Sequence, residues 1–211
     1  MDPNFWHQRW QDNKIAFHEA EGNALLSSHF HLLSLQKGDR VFIPLCGKSN
    51  DIGWLAGQGC RVVGIELSQA AVEAFFAENG LEAEVSRVGG LRRYRSGPIE
   101  LFAGDFFKLS KELLGPVDAI YDRAALVAMP ERMRTSYAHH LAKLSGNAPQ
   151  FLITFDYDQS QTEGPPFSVP AETIDRLYEG IYRREPVASV EIAGPLAERC
   201  SGTENAWLLR P

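Results

Sequence analysis

Residues 41–68 read V-F-I-P-L-C-G-K-S-N-D-I-G-W-L-A-G-Q-G-C-R-V-V-G-I-E-L-S, and this stretch decides the fold. Val41 to Leu45 is a short apolar run of strand length. Ser49 to Gln58 reads as a helix, with Ser49 or Asn50 to cap it and Gly59 to stop it. Arg61 to Leu67 is a second strand, rich in β-branched residues. A strand, a helix and a strand in this order form a βαβ unit, whose crossover is right-handed and whose strands are parallel.

The rhythm continues downstream. Ser68 to Asn79 is helical and presents Val72, Phe75 and Phe76, and residues 84–103 read as two or three short strands around the Ser96-Gly97 turn. Val117 to Tyr121 is a strand, and Pro130 to Leu144 is a helix with Met133, Tyr137, Leu141 and Leu144 on one side. Phe151 to Tyr157 is a further strand, and Pro170 to Tyr182 a further helix. Val187 to Ile192 and Ala206 to Leu209 follow with no helix between them, which predicts a hairpin and an antiparallel strand at the sheet edge. Upstream, Asp2-Pro3 starts a short helix in which Trp6 and Trp10 share a face, and Leu25, Leu26, Phe30 and Leu33 recur at helical spacing. The expectation is an α/β, Rossmann-like sheet with helices on both faces. It forms a single domain over 1–211, with 1–35 as a helical cover.

Composition bounds the partners. The chain has 211 residues, 44% hydrophobic and 23% charged, the make-up of one globular domain. Lys and Arg number 21 against 27 Asp and Glu, a net charge of −6 that argues against nucleic acid or an anionic membrane as the main partner. Cys46, Cys60 and Cys200 are too few and too scattered for a disulfide framework, and free thiols suit a reducing cytoplasm. The first residues lack the pattern of a secretory signal, and no apolar run reaches the length of a membrane span. His29-x-His31 and His139-His140 do not reproduce a metal-ligand spacing with a third partner, so no metal is expected.

In open α/β sheets, ligands bind outside the carboxyl ends of the strands. After the first strand, Gly47-Lys48-Ser49 suggests a phosphate loop, but position 42 is Phe where that motif needs its first glycine. The G-x-G-x-x-G fingerprint is also missing, so Gly47 offers one flexible backbone position beside a ligand or an ordinary turn. Glu66 ends the second strand 19 residues after Gly47, where a carboxylate accepts hydrogen bonds from ribose hydroxyls; the alternative is an exposed strand-end carboxylate. Asp105 and Phe106 follow the next strand and suit an adenine ring, or Asp105 caps a turn. Asp122-Arg123 follows the fourth strand, either as a mutual ion pair or with Arg123 as a cation beside the reacting group. The Gly164-Pro165-Pro166-Phe167 loop reads as a lid or substrate rim.

Five strings then carry a family resemblance: W-Q-D-N-K-I-A-F-H-E (10–19), V-F-I-P-L-C-G-K (41–48), V-V-G-I-E-L-S (62–68), D-R-A-A-L-V (122–127) and G-P-P-F-S-V-P (164–170). In this order they resemble the thiopurine S-methyltransferases, in a compact form similar to the bacterial members. The resemblance implies a class I methyltransferase fold with a seven-stranded, mostly parallel sheet whose last strand is antiparallel. It also implies S-adenosylmethionine as methyl donor and a small aromatic or heterocyclic thiol as acceptor. Carried over by position, Trp10, Leu45, Glu66, Asp105, Phe106 and Arg123 match donor-binding residues. Phe17 matches a residue that packs on substrate, and Arg199 of Glu198-Arg199 matches an arginine facing the acceptor. Arg123 is the candidate for direct action on the reacting sulfur. A monomer is expected. Rival readings are methylation of selenium or tellurium compounds, an NAD-dependent oxidoreductase, and a non-catalytic docking domain.

Overall fold

The computed structural model describes Glu19 and residues 22–211. Trp10 and Phe17, and the helix expected at Asp2-Pro3, lie outside the described residues. The first helix, α1 (Ala24–His29), is capped by Asn23, whose side chain accepts from the amides of Leu25 and Leu26. A 3-10 turn (Phe30–Leu33) extends it, so the expected periodicity of Leu25, Leu26, Phe30 and Leu33 is kept although the helix type changes.

Among the described residues, nine strands form one sheet in the order β3-β4-β5-β2-β1-β6-β7-β9-β8. The strands are β1 (Arg40–Pro44), β2 (Arg61–Glu66), β3 (Glu84–Val88), β4 (Leu91–Ser96), β5 (Ile99–Ala103), β6 (Ala119–Arg123), β7 (Gln150–Tyr157), β8 (Arg183–Glu191) and β9 (Gly202–Arg210). The helices are α2 (Asn50–Gly57), α3 (Gln69–Glu78), the short α4 (Lys111–Leu114), α5 (Glu131–Ser145) and α6 (Ala171–Leu177). β5, β2, β1, β6 and β7 run parallel, and the other neighbouring pairs are antiparallel.

Two expectations need correction. The sheet has nine strands rather than seven, because residues 84–103 fold as three strands and β3 and β4 add an antiparallel ribbon beyond β5. The β8–β9 hairpin forms the antiparallel edge that was expected, with β9 between β7 and β8 and β8 outermost. β9 is buried at Asn205, Ala206, Leu208 and Leu209, and its two hydrogen-bonding sides are taken by β7 and β8. Helix α6 is also shorter than its pattern suggested. It ends at Leu177, and Gly180, with φ of 71°, turns the chain before Tyr182 donates to the carbonyl of Ala148 at 2.8 Å.

Ser49 and Ser68 cap α2 and α3 by accepting from the amides of Asp51 and Ala71. Side chains alternate across the sheet and feed a core on each face. Phe42, Ile120 and Leu152 pack on one face against Tyr137, Leu141 and Ile174. Val41, Ile43, Tyr121 and Ile153 pack on the other against Ile52, Leu55 and Val72.

Candidate functional site

The parallel strands β5, β2, β1, β6 and β7 bring residues 104–106, 66–68, 45–49, 124–126 and 158 onward to a single edge of the sheet. The strand order reverses between β1 and β6, the position where such sheets open a crevice for ligands. From β5 to β6 the edge crosses three strand spacings, roughly 14 Å.

Glu66 sits at the end of β2 and is 6% exposed. Its Oε2 accepts from the Gly47 amide at 3.0 Å and its Oε1 from the Ser68 amide at 2.8 Å. The carboxylate is therefore not a loose strand end. It ties the loop after β1 to the loop after β2.

The backbone here is unusual. Among the described residues, Leu45 and Ala124 are two of the four non-glycine residues with positive φ, at 48° and 63°. They immediately follow β1 and β6, and Gly47 adds a φ of 54°. Strained backbone of this kind clusters at ligand sites. Sequence reading singled out Leu45 and Gly47 but passed over Ala124, since an alanine after a strand carries no local signal. Cys46 packs into the body beneath this loop, and a side chain at Gly64 would meet its Sγ at 2.7 Å. Burial, then the charge of Glu66, pushes the Cys46 thiol well above its usual range, so it is no ready nucleophile.

Asp105 serves as a cap: its Oδ1 accepts from the Phe107 amide at 3.0 Å. The Phe106 ring turns into the core, 5.1 Å from the Tyr137 ring and 4.9 Å from that of His140. The Phe106 ring is thus taken up by the core and is not presented at this edge.

The mutual Asp122–Arg123 pair, one of the two readings of this dipeptide, is not formed. Consecutive strand residues point to opposite faces. Asp122 is fully buried among the α5-side residues, where its Oδ2 accepts from the Tyr137 hydroxyl at 2.7 Å and its Oδ1 from the Leu126 amide at 3.1 Å. Burial lifts its carboxyl to about 6 despite these bonds. Arg123 turns to the other face and pairs with Glu19. Burial also raises the Glu204 carboxyl, while the nearby charge of Arg123 lowers it.

Around this pair lies a network that sequence reading missed. Asp51 is 1% exposed, accepting from the Asn23 amide at 2.7 Å and from the Tyr121 hydroxyl at 2.9 Å. Asn50 donates to the Glu19 carbonyl at 3.1 Å. Together these contacts bind Glu19 and Asn23 to α2 and β6. The residues involved are scattered over most of the chain, so no local motif marks them.

The loop before α6 is tied down rather than hinged. The Phe167 amide donates to the Val127 carbonyl at 2.7 Å, Val169 to Phe155 at 2.7 Å, and the Tyr157 hydroxyl to the Pro166 carbonyl at 2.6 Å. It is a rim. The β8–β9 connection returns to the same edge and carries Arg199, which is exposed.

The comparisons with known proteins follow this geometry. The thiopurine S-methyltransferase (TPMT) profile matches residues 1–206. The chain belongs to the thiopurine S-methyltransferase family. The Xanthobacter autotrophicus thiopurine S-methyltransferase is 49% identical over 210 residues, covering 99% of both chains. That of Acinetobacter baylyi is 50% identical over 186 residues, 86% of each. The fold is similar to that of a SAM-dependent methyltransferase from Anabaena variabilis, with a TM-score of 0.69 at 15% identity, covering 99% of this chain and 94% of that one. It is also similar to the Burkholderia thailandensis 1,6-didemethyltoxoflavin-N1-methyltransferase solved with 1,6-didemethyltoxoflavin and S-adenosylhomocysteine bound (TM-score 0.65, 16% identity, 99% and 87% covered). The carboxyl edge described above carries Leu45, Glu66, Asp105, Phe106 and Arg123, the described positions that the resemblance matched to donor binding. Among the described residues no helix is long and apolar enough to cross a membrane.

Proposed function

We propose that the chain transfers a methyl group from S-adenosylmethionine to the sulfur of an aromatic or heterocyclic thiol such as a thiopurine. The observation that carries this reading is the Glu66 carboxylate fixed at the switch-point edge, in a chain that matches its family along 1–206. The reading takes 1–211 as one domain, with 1–35 as its cover, acting as a monomer in the cytoplasm without a metal.

The donor's ribose would lie on Glu66 and the loop of Leu45 and Gly47, with its base beside the backbone of Asp105 and Phe106. Trp10 and Arg123 would complete the donor site, and Phe17 and Arg199 would face the acceptor. When bound, S-adenosylmethionine supplies a methyl made electrophilic by its sulfonium. The chain's part is to hold the acceptor sulfur in line with that carbon, which removes much of the barrier, and to keep the acceptor as thiolate. The C–S bond of the donor breaks as the new S–CH₃ bond forms, and the thiolate and sulfonium charges cancel.

Arg123 cannot act as a base, since arginine keeps its proton. Its pairing with Glu19 gives it a different task. An arriving thiolate competes with the Glu19 carboxylate for the guanidinium, so the acceptor's anionic form is the one that exchanges in. Arg123→Ala should lower turnover with a thiopurine well beyond any loss of stability, and a fully active variant would remove it from the mechanism. Calorimetric titration with S-adenosylhomocysteine tests the whole reading, and no binding at millimolar ligand would overturn it. Product analysis with thiopurine and with selenium or tellurium acceptors then fixes the acceptor.

A further inference from the structure

A cavity of about 420 Å³ opens at the opposite end of the sheet, lined by Arg40, Arg61, Arg95, Glu100 and the Gly97-Pro98 turn among others. Arg40 and Arg61 begin β1 and β2 and are register partners, and Ile99 begins β5 beside them. The cavity thus lies at the amino ends of the parallel strands. Arg61 and Glu66 stand at opposite ends of β2, roughly 17 Å apart, so this is not part of the crevice described above. Its volume is that of a small-molecule site.

Its charge is out of keeping with a chain of net −6. Glu100 is the one carboxylate lining the cavity. Its Oε2 pairs with Arg40 at 2.7 Å and its Oε1 with Arg95 at 3.0 Å, and Arg93 stands 3.9 Å away. Asp118 and Asp39 are nearby, their carboxylates accepting from the amides of Arg40 and Gln36, and they add their charge to that of Glu100. Against Arg40, Arg61, Arg93 and Arg95 these three carboxylates still leave one positive charge over. Arg61 is exposed, and its Nε donates to the Gly38 carbonyl at 2.8 Å, which aims the guanidinium. Its terminal nitrogens make no further hydrogen bond among the described residues.

Arg40 is built in rather than draped over the surface. Its side chain is 15% exposed and donates to the Leu114 carbonyl, and a side chain at Gly115 would meet its guanidinium nitrogen at 2.7 Å. Burial lowers the Arg40 pKa and Glu100 raises it, and the charges of Arg61 and Arg95 lower it again. Crowding like charges in this way costs free energy that a bound anion would return. Planar guanidinium forks suit phosphate oxygens in particular.

We propose that Arg40, Arg61 and Arg95 form a binding site for the phosphate groups of a phosphorylated small molecule, at the end of the sheet remote from the methyl-transfer site. The test is calorimetric titration of the full chain with inorganic pyrophosphate and with ATP, each in the presence of saturating S-adenosylhomocysteine, with adenosine as the uncharged control. Both anions should bind at submillimolar concentration. The Arg61→Gln/Arg95→Gln variant should weaken both by at least about tenfold, roughly 1.4 kcal/mol, with S-adenosylhomocysteine affinity unchanged. The single Arg61→Gln variant, which alters only an exposed side chain, stands in if the double variant fails to fold. Absence of binding by both anions at millimolar concentration, binding undiminished in the variants, or adenosine binding as tightly as ATP would each overturn the proposal. Failure of S-adenosylhomocysteine to bind would count against the donor reading and leave these results independent of it.

Discussion

Asp122 shows how far burial outweighs hydrogen bonding at a single residue. Two donors hold its carboxylate, yet desolvation dominates and lifts the pKa from 3.8 to about 6. The folded chain therefore binds a proton more tightly than the unfolded one. Its contribution to stability is fully present below about 3.8 and is lost as the pH rises through about 6. Chemical denaturation at pH 4.5 and 7.5 should show this term in the wild type, and Asp122→Asn, which cannot ionise, should flatten it. Glu66 is a second residue whose environment was not evident from its position alone. Glu66→Ala should weaken S-adenosylhomocysteine binding by about 1–3 kcal/mol, through a lost charged hydrogen-bonding group and the release of the Gly47 and Ser68 amides. Calorimetry showing unchanged affinity would mean the donor does not lie on this carboxylate.

At the scale of elements, the N-terminal approach to the sheet rests on Asp51. One buried carboxylate of α2 holds the backbone before α1 and the Tyr121 hydroxyl of β6. Burial raises the Tyr121 pKa well above its usual value, which keeps the phenol protonated as a donor. Asp51→Ala strands two buried donors and should cost about 2–4 kcal/mol in urea unfolding, while Asp51→Asn keeps an acceptor and should cost less. The strands β1 and β2 and their capped helices were readable because apolar runs, Ser49, Ser68 and Gly59 are local signals. The β3–β4 ribbon was only half readable. The Ser96-Gly97 turn marks the β4–β5 hairpin, but in L-R-R-Y-R-S the apolar residues Leu91 and Tyr94 lie three apart, so no alternation shows which face is buried.

For the whole molecule, one sheet separates two cores. Phe42 faces one and Ile43 the other, from adjacent positions on β1. Both cores therefore share a strand, and neither can unfold without exposing the other. Phe42→Ala should cost about 3–5 kcal/mol and Ile43→Ala about 2–5 kcal/mol. Both should lower a single transition, with fluorescence and far-UV circular dichroism changing together. Two separated transitions would show that the faces are independent.

The sequence by itself determined the βαβ order, the capped helices, the position of Glu66 at a strand end and the family strings, because each depends on residues close together in the chain. Tertiary structure decided the rest. It turned Asp122 and Arg123 to opposite faces, paired Arg123 with Glu19, turned the Phe106 ring inward and placed β9 inside the sheet. It also gathered arginines from β1, β2 and β4 around Glu100 of β5. Those outcomes depend on which strands become neighbours and which side chains lose water, and residues distant in sequence acquire both properties only when the sheet closes on its two cores.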